Sequence, residues 1–285
     1  MNYADFHRRS LQDRDAFWAE QAKAIDWHKP FTQVCDYANP PFARWFVGGQ
    51  TNLCHNAVDR HAATHPDRNA LIWVSTEVEQ ERIYTFAQLQ REVETMAAIL
   101  QAQGVGQGDR VLIYMPMIPE AAFAMLACTR IGAIHSVVFG GFASVSLATR
   151  IEDAEPKVIV SADAGSRAGK VVPYKGLLDE AIRLSSHKPA KVLLVDRGLA
   201  PMERTAGRDM EYATLREQHR GAKVPCAWVD ATHPSYTLYT SGTTGRPKGA
   251  VLPHRKTYWN SRNAERYFEL VADDVVVVPI PLFHS

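Results

Sequence analysis

The sequence lacks the features that mark membrane-spanning, nucleic-acid-binding and secreted proteins. Its 285 residues carry 32 Lys and Arg against 31 Asp and Glu, a formal net charge of +1, which gives no electrostatic surplus for nucleic acid or an anionic membrane. No apolar run approaches the roughly 18 residues of a membrane span. Met1 leads into Asp5, Arg8 and Arg9 without the apolar core of a signal peptide. We therefore expect a cytoplasmic enzyme with no membrane span and no nucleic-acid partner.

Cysteine is scarce, and its spacing does not suggest a metal site. The four cysteines form no C-x-x-C pair and no spacing typical of metal ligands: Cys35, Cys54, Cys128 and Cys226. We interpret them as reduced, mostly structural thiols of a cytosolic protein. Histidines and Asp59 near Cys54 raise the possibility of a metal site, but the apolar spacing from Leu53 to His61 favours a helix. No metal ligand is identified within the chain.

Strand and helix patterns alternate from residue 70 onward. The composition, 46% apolar and 22% charged, is that of a globular protein whose length allows one large or two ordinary domains. Apolar runs predict a hairpin at 70–74 and 82–84 and buried strands at 110–115, 133–139, 157–161 and 191–195. Helical spacing predicts helices at 86–100, 118–130, 144–154 and 177–184, the first capped by Thr85 and closed by Gly104. This order is typical of an α/β fold with a layered, mostly parallel sheet and flanking helices.

Two segments depart from this alternation. Residues 1–60 are rich in aromatic and turn residues, and we predict a helix over 13–25, irregular chain elsewhere, and packing of the segment onto a larger body. Residues 198–225 are polar and basic, which predicts a surface excursion, a connection that runs over the surface of the protein. The sequence shows no internal repeat, low-complexity tract or charge block.

One stretch, Tyr236–Gly249, carries the clearest functional signal. A β-prone run, Ser235–Tyr239, leads into four hydroxyl residues, three glycines and a lysine. Glycines let backbone N–H groups approach a ligand, hydroxyls add donors and Lys248 adds positive charge, so the stretch suits anionic oxygens. It is not the familiar P-loop, because no G-x-x-x-x-G-K-[ST] pattern fits. A flexible linker is the alternative, but the entering strand and the Pro-Lys-Gly ending favour a phosphate site.

Two further turns follow predicted strands. Phe139-Gly140-Gly141-Phe142 lies between a strand and a helix, where two glycines would leave backbone N–H groups open to a ligand. The stretch from Ser161 to Lys170 places Arg167 and Lys170 three residues apart on a glycine-containing loop, which suits a phosphate or pyrophosphate. A tight turn and a solvated basic loop are the respective alternatives.

Several motifs together resemble a known superfamily. Tyr239-Thr240-Ser241-Gly242-Thr243-Thr244-Gly245-Arg246-Pro247-Lys248-Gly249 resembles the signature of adenylate-forming enzymes, which include acyl-CoA synthetases, luciferases and peptide-synthetase adenylation domains. Over roughly residues 1–250 the chain is more closely similar to short-chain acyl-CoA synthetases, the acetate– and propionate–CoA ligases. The supporting stretches are Asn39–Phe46, Thr51–Asn56, Gly108–Val111, Tyr114–Met117, Val137–Phe142, Ser161–Asp163, Arg167–Lys170 and Leu194–Gly198.

The resemblance implies a reaction and its substrates. In this family a carboxylate attacks the α-phosphorus of Mg²⁺-bound ATP, pyrophosphate leaves, and CoA then converts the acyl-adenylate to acyl-CoA and AMP. By position, the β- and γ-phosphates of ATP would be held by Thr240, Ser241, Gly242, Thr243, Thr244, Gly245 and Lys248, with Lys248 and Thr240 as catalytic candidates. The CoA nucleotide would contact Phe139, Gly140, Gly141, Arg167 and Lys170. The partners expected are a small carboxylate, ATP and CoA, and the sequence does not indicate an oligomeric state.

Beyond Gly249 the pattern changes. Residues 250–255 and the ending Pro279–Ser285 resemble medium-chain, long-chain or aryl acyl-CoA synthetases instead. In that group the histidine of Pro-Leu-Phe-His lies beside the acyl and adenylate site, which makes His284 a further catalytic candidate; a strand-end histidine without such a role is the alternative. A chimera, a divergent paralogue and an assembly of fragments would each explain two lineages that meet at the phosphate loop.

The resemblance also predicts how the chain is divided. Residues 1–60 correspond to the N-terminal extension of short-chain acyl-CoA synthetases, and residues 61–285 to an incomplete AMP-binding domain without the C-terminal, lysine-bearing domain. We expect that this polypeptide alone does not complete the reaction. Longer-chain or aryl acyl-CoA ligation is one alternative function, and a non-catalytic nucleotide- or CoA-binding fragment is another.

Overall fold

The fold was analysed in a computed structural model, which describes residues 3–167, 169–239, 248–271 and 273–278. The helices, in chain order, are α1 (Tyr3–Gln12), α2 (Arg14–Gln21), α3 (Arg60–Thr64), α4 (Phe86–Ala102), α5 (Pro119–Arg130), α6 (Ser144–Ala154), α7 (Tyr174–Leu184), α8 (Tyr212–Gln218) and α9 (His254–Tyr267). A 3₁₀ turn, Ala22–Ala24, follows α2, and a π-helical turn, His55–Asp59, precedes α3. Within the described ranges no helix combines the length and the apolar character that crossing a bilayer requires.

The strands are β1 (Gln33–Asn39), β2 (Phe42–Val47), β3 (Gln50–Thr51), β4 (Asn69–Ser75), β5 (Gln80–Thr85), β6 (Arg110–Met115), β7 (Ile134–Phe139), β8 (Val158–Ala162), β9 (Ala164–Arg167), β10 (Lys170–Pro173), β11 (Lys191–Val195), β12 (Asp209–Glu211), β13 (Val229–Asp230), β14 (Pro234–Tyr239) and β15 (Gly249–Pro253). The largest sheet has seven strands in the order β12-β11-β8-β6-β7-β14-β15. All neighbouring pairs are parallel except β14 and β15. The predicted α/β fold with a mostly parallel sheet is confirmed.

Helices cover both faces of this sheet. Val111 and Ile113 of β6 pack into a core with α4, α5 and α8, whereas Leu112 and Tyr114 pack into a second core with α6 and α7. The four side chains are all buried, because successive residues of a strand point to opposite faces. The fully apolar strand patterns therefore reflect a sheet that is covered on both sides.

The chain changes faces beside β6. The helix that follows β6 is α5, which lies on the first face, and the helix that follows the adjacent β7 is α6, which lies on the second. Neighbouring strands whose connections diverge in this way open a crevice at the carboxyl ends of the strands, where open α/β sheets bind ligands.

The N-terminal segment contains more regular structure than its sequence predicted. Besides α1 and α2, it forms the antiparallel hairpin β1–β2, with Cys35 opposite Trp45, so the prediction of irregular chain is wrong there. Aromatic side chains of this hairpin pack with Trp18 and with Trp259 of α9. These contacts are long-range, which explains why a local pattern of turn residues was misleading.

The predicted surface excursion at 198–225 is wrong for part of its length. Strand β12 adds to the edge of the large sheet beside β11, and α8 follows it directly. Tyr212 is buried in the first core, and Arg216 forms a bidentate ion pair with Glu92 of α4. Arg208 and Lys223 likewise pair with Asp179 of α7 and Glu94 of α4, so ion pairs with helices help to hold this polar segment against the domain.

Candidate functional site

The strand ends that carry the predicted motifs share one edge of the sheet. Because β6, β7, β8 and β14 run parallel, the last residues of these strands, Met115, Phe139, Ala162 and Tyr239, all lie on the carboxyl side. This edge includes the crevice beside β6. The fold therefore brings the strands that lead into the three sequence motifs to the edge where ligands bind in such sheets.

The turn after β7 is packed against a buried tyrosine. A Cβ atom at Gly140 would overlap the ring and hydroxyl of Tyr174, and one at Gly165 would lie 2.6 Å from the same hydroxyl. The Tyr114 hydroxyl lies 3.3 Å from the carbonyl oxygen of Gly140, to which it donates a hydrogen bond. Glycine is therefore required at 140 by packing, in addition to the ligand contact that the sequence predicted for it.

The predicted basic loop is a two-stranded hairpin. Strands β9 and β10 are antiparallel, with Lys170 opposite Arg167, and Gly169 in the turn has a φ of +75°. The backbone thus brings the two cationic positions opposite one another across the ladder, with Lys170 exposed. The side chains of Arg167 and Phe139 lie outside the described part of the structure, so their predicted contacts with CoA stay predictions.

An ion pair at the sheet edge supports this hairpin. The Arg197 guanidinium donates to Glu77 at 2.6 Å and to the carbonyl oxygen of Ala164 at 3.1 Å. The second oxygen of Glu77 accepts a hydrogen bond from the backbone N–H of Ser166 at 2.9 Å. The tip of the β4–β5 hairpin therefore contacts the strand that carries Arg167. Sequence reasoning missed Glu77, because its partners are distant in the chain.

The glycine- and hydroxyl-rich stretch connects two antiparallel strands. Tyr239, at the end of β14, is opposite Gly249, the first residue of β15, and Lys248 is exposed beside this pair. A side chain at Gly249 would lie 2.7 Å from a methyl group of Thr237. The predicted phosphate ligands Thr240, Ser241, Gly242, Thr243, Thr244 and Gly245 lie outside the described residues, as does His284. The ends of the connection are thus fixed at the carboxyl edge of the sheet.

Helix α6 lies beside the base of this connection. The Tyr239 hydroxyl donates a 2.6 Å hydrogen bond to a carboxylate oxygen of Asp153, and burial together with this carboxylate raises the pKa of the Tyr239 hydroxyl. The Arg150 guanidinium lies 5.4 Å from the Tyr239 ring and 4.4 Å from the Phe142 ring. Sequence reasoning missed these residues. The sequence feature that could have indicated them is the spacing of an Arg and an Asp three residues apart on an amphipathic helix.

Two buried histidines pack around the same strand. His135 of β7 is stacked on Tyr236 of β14, and burial lowers the pKa of His135 to about 4. His254, at the start of α9, accepts a hydrogen bond at Nδ1 from the Leu53 N–H, and burial lowers the pKa of His254 to about 3. Both imidazoles are therefore neutral at pH 7. Each packs against another ring, His135 against Tyr236 and His254 against His233.

A cavity of about 450 Å³ also opens at this edge, beside the end of β11. Each arginine in its lining contacts a carboxylate: Arg82 with Glu120, Arg197 with Glu77 and Arg216 with Glu92. Because these carboxylates already neutralise the guanidinium charges, the cavity is a poorer match for phosphate than the exposed Lys170 and Lys248.

The cysteines are all free thiols, and two of them meet an acidic side chain. One ligand atom each of Cys54, Asp59 and Cys226 lies within 4.8 Å of the others. However, the buried Arg130 guanidinium contacts both carboxylate oxygens of Asp59, at 2.9 and 3.0 Å, and lies 3.6 Å from the Cys54 sulfur. A cation already occupies the centre of this cluster, so we interpret it as a buried charge network. The predicted helix over these residues is confirmed.

Taken together, the fold and this edge are typical of a nucleotide-binding α/β enzyme domain. An open, mostly parallel sheet brings to one edge the strands that lead into the hydroxyl-rich stretch, the diglycine turn and the basic hairpin. Such backbone N–H groups and cations bind phosphate groups.

Comparison with known families agrees. The chain belongs to the AMP-binding enzyme family, whose model matches residues 58–285. Residues 3–57 match a second model, described as the acetyl-coenzyme A synthetase N-terminus. The stretch after Gly249, where the sequence pattern changes, therefore lies inside the family match.

The relatives include curated acyl-CoA ligases. The chain is 60% identical over 249 residues to the propionate–CoA ligase of Escherichia coli strain K12, covering 87% of this chain and 40% of that protein. It is 46% identical over 253 residues to an acetyl-coenzyme A synthetase of Methylobacterium radiotolerans, covering 87% and 39%. A solved structure of acetoacetyl-CoA synthetase from Streptomyces lividans matches with a TM-score of 0.80 and 31% identity, over 90% of this chain and 38% of that one. The chain thus spans about two fifths of the length of these relatives.

Proposed function

We propose that this chain supplies the ATP-phosphate and CoA-nucleotide sites of an AMP-forming acyl-CoA synthetase that acts on propionate or acetate. The observation that carries the proposal is that the strands leading into three motifs end at one sheet edge: the Tyr239–Gly249 pair that bounds the hydroxyl-rich stretch, the turn at Gly140, and the β9–β10 hairpin. Similarity to a propionate–CoA ligase at 60% identity supports the substrate class.

In the first half-reaction, an oxygen of the substrate carboxylate attacks the α-phosphorus of MgATP. The bond from that phosphorus to the bridging oxygen breaks, pyrophosphate leaves, and an acyl-adenylate is formed. We assign the β- and γ-phosphates to residues 240–245 and Lys248, whose hydroxyls, backbone N–H groups and positive charge would stabilise the leaving group. Positioning and charge stabilisation are most of what such a transfer requires. The magnesium ion arrives as part of the MgATP substrate.

In the second half-reaction, the CoA sulfur attacks the acyl carbonyl carbon, and AMP leaves. We assign the nucleotide part of CoA to the diglycine turn and to Arg167 and Lys170. Two opposed cationic positions on a hairpin suit the phosphates of that nucleotide, and Arg provides a bidentate donor. Thr240 and His284 remain catalytic candidates in this proposal.

The proposal extends to domain organisation and location. Residues 1–60 form an N-terminal extension and residues 61–285 part of the AMP-binding domain. Four free thiols support a reducing, cytoplasmic location. Resemblance of residues 250–285 to longer-chain and aryl acyl-CoA synthetases favours a second candidate substrate class, an aliphatic or aromatic carboxylate larger than propionate.

A graft into a whole enzyme tests whether residues 1–249 supply working ATP-phosphate and CoA-nucleotide sites. Residues 1–249 of this chain would replace the corresponding segment of the Escherichia coli propionate–CoA ligase. Carboxylate-dependent exchange of labelled pyrophosphate into ATP and CoA-dependent thioester formation would then be measured with acetate, propionate, octanoate and benzoate. We expect both half-reactions with propionate or acetate. A folded hybrid that supports neither would contradict the proposal, and the parent ligase provides the reference.

A further inference from the structure

Arg150 is a buried cation whose charge is not matched by a carboxylate among the described residues. Its side chain is 5% exposed, and its terminal nitrogen donates to the carbonyl oxygen of Ser146, one turn earlier in α6, at 2.7 Å. No ion pair joins Arg150 to a described acidic residue, and burial lowers the pKa of its guanidinium. A buried arginine without such a partner is costly, because burial disfavours the charged form. Burial of the Arg150 charge therefore requires a compensating interaction.

Two aromatic rings provide that interaction. The guanidinium carbon lies 4.4 Å from the centre of the Phe142 ring and 5.4 Å from that of Tyr239. Both distances are within the range of a cation–π contact, which is worth most where the cation is desolvated. Tyr239 is further fixed by the 2.6 Å hydrogen bond from its hydroxyl to Asp153.

The two rings belong to different parts of the proposed site. Phe142 directly follows the diglycine turn, and Tyr239 directly precedes the hydroxyl-rich connection. Helix α6 begins at Ser144, just after the first, and carries Arg150 and Asp153 to the second. A single side chain of α6, that of Arg150, thus contacts a residue next to each motif.

We propose that Arg150 is a positioning residue that fixes the CoA-binding turn relative to the ATP-phosphate connection. We further propose that Asp153 positions the ATP-phosphate connection alone. The assignment of the two ligands rests on the function proposed above. The geometric claim does not, because it concerns the two segments whose aromatic rings the Arg150 side chain contacts.

Three substitutions separate these roles. Arg150→Met keeps much of the length and apolar stem but removes both cation–π contacts. Arg150→Lys retains a cation without the planar guanidinium, which should restore part of the effect. Asp153→Asn weakens the hydrogen bond to Tyr239 and leaves Phe142 untouched. Arg183→Met is the matched control, because Arg183 is an exposed arginine on α7 whose one ion pair among the described residues is with Glu180.

Hydrogen–deuterium exchange of the ligand-free chain tests the geometric claim. For Arg150→Met we expect roughly tenfold faster exchange in peptides that cover both 138–143 and 234–239, as loss of a desolvated cation–π contact predicts. For Asp153→Asn we expect faster exchange in 234–239 alone, and Arg183→Met should match the wild type. Unchanged exchange in Arg150→Met would overturn the proposal, as would a uniform increase that includes β11, since that is simple destabilisation.

Calorimetric titration with CoA and with MgATP tests the ligand assignment separately. Arg150→Met should weaken both by about tenfold, with partial recovery in Arg150→Lys, whereas Asp153→Asn should weaken MgATP alone. If the wild-type chain binds neither ligand while the exchange pattern appears as expected, the proposed function fails and the positioning role stands. If ligands bind but exchange in Arg150→Met equals that of the wild type, the positioning role fails and the proposed function stands.

Discussion

Tyr174 fills the space that a side chain at residue 140 would require. The Tyr174 side chain is buried, and its hydroxyl oxygen also lies 2.6 Å from the position of a Cβ atom on Gly165. The diglycine turn was noticed in the sequence because its backbone suits an anion. Its packing partner was not predictable, since Tyr174 begins a helix well downstream and no local pattern connects the two.

Gly140→Ala is therefore expected to lower the free energy of unfolding by at least about 2 kcal/mol, because the added methyl group overlaps a buried ring. Gly176→Ala is the control. Gly176 lies in α7, and a Cβ atom there would meet nothing within 4 Å, so alanine should stabilise the protein by roughly 0.5–1 kcal/mol. Urea unfolding measures both. Equal effects of the two substitutions would contradict the packing argument.

At the scale of single elements, helix α4 shows what local sequence can predict. Its first turn has a complete capping box: the Thr85 hydroxyl accepts a hydrogen bond from the Gln88 N–H, and the Gln88 side chain accepts one from the Thr85 N–H. These bonds confirm the predicted cap. The cap is predictable from sequence because both partners lie within four residues of each other. The hairpin β1–β2 shows the opposite case, because its strands are stabilised by aromatic contacts with distant helices.

We expect Thr85→Ala to cost about 1 kcal/mol of unfolding free energy, since it leaves a helix N–H without its acceptor. Thr85→Ser keeps the hydroxyl and should cost much less. Chemical denaturation monitored by circular dichroism measures the difference, and an alanine variant as stable as the serine variant would show that the cap contributes little.

At the scale of the whole molecule, the features of the site that depend on local sequence were predictable, and those that depend on long-range contacts were not. Strand order along the chain, the doubly covered sheet and the motifs at strand ends followed from periodicity and turn residues. Three features could not be predicted in this way: the hairpin formed by the basic loop, the support from Glu77 and the contacts of Arg150. Each depends on residues that approach one another only in the folded chain.

Stability should fall on mild acidification. His135 and His254 have pKa values of about 4 and about 3 in the folded protein, below the ordinary value near 6.5. The unfolded chain therefore binds protons first as the pH falls below about 6.5, and this contribution to stability is present above that pH and lost progressively towards the folded pKa values. Between pH 7.5 and 5.5 we expect a loss of about 1.4 kcal/mol per histidine.

The pH dependence is checked by unfolding the wild type and a His135→Gln, His254→Asn double variant at several pH values. The variant should be less stable at pH 7.5 but lose clearly less stability between pH 7.5 and 5.5. The same slope in both proteins would mean that other groups control this range.

The central claim is that the connection between Tyr239 and Gly249 binds the phosphates of ATP. The most direct test is calorimetric titration of MgATP into the chain, its Lys248→Ala variant and a Lys23→Ala control, in which an exposed lysine of the N-terminal segment is removed. We predict saturable binding by the wild type and the control, and roughly tenfold weaker binding by Lys248→Ala at an unchanged melting temperature. Absence of binding by the wild type, or equal affinity of Lys248→Ala, would contradict the account.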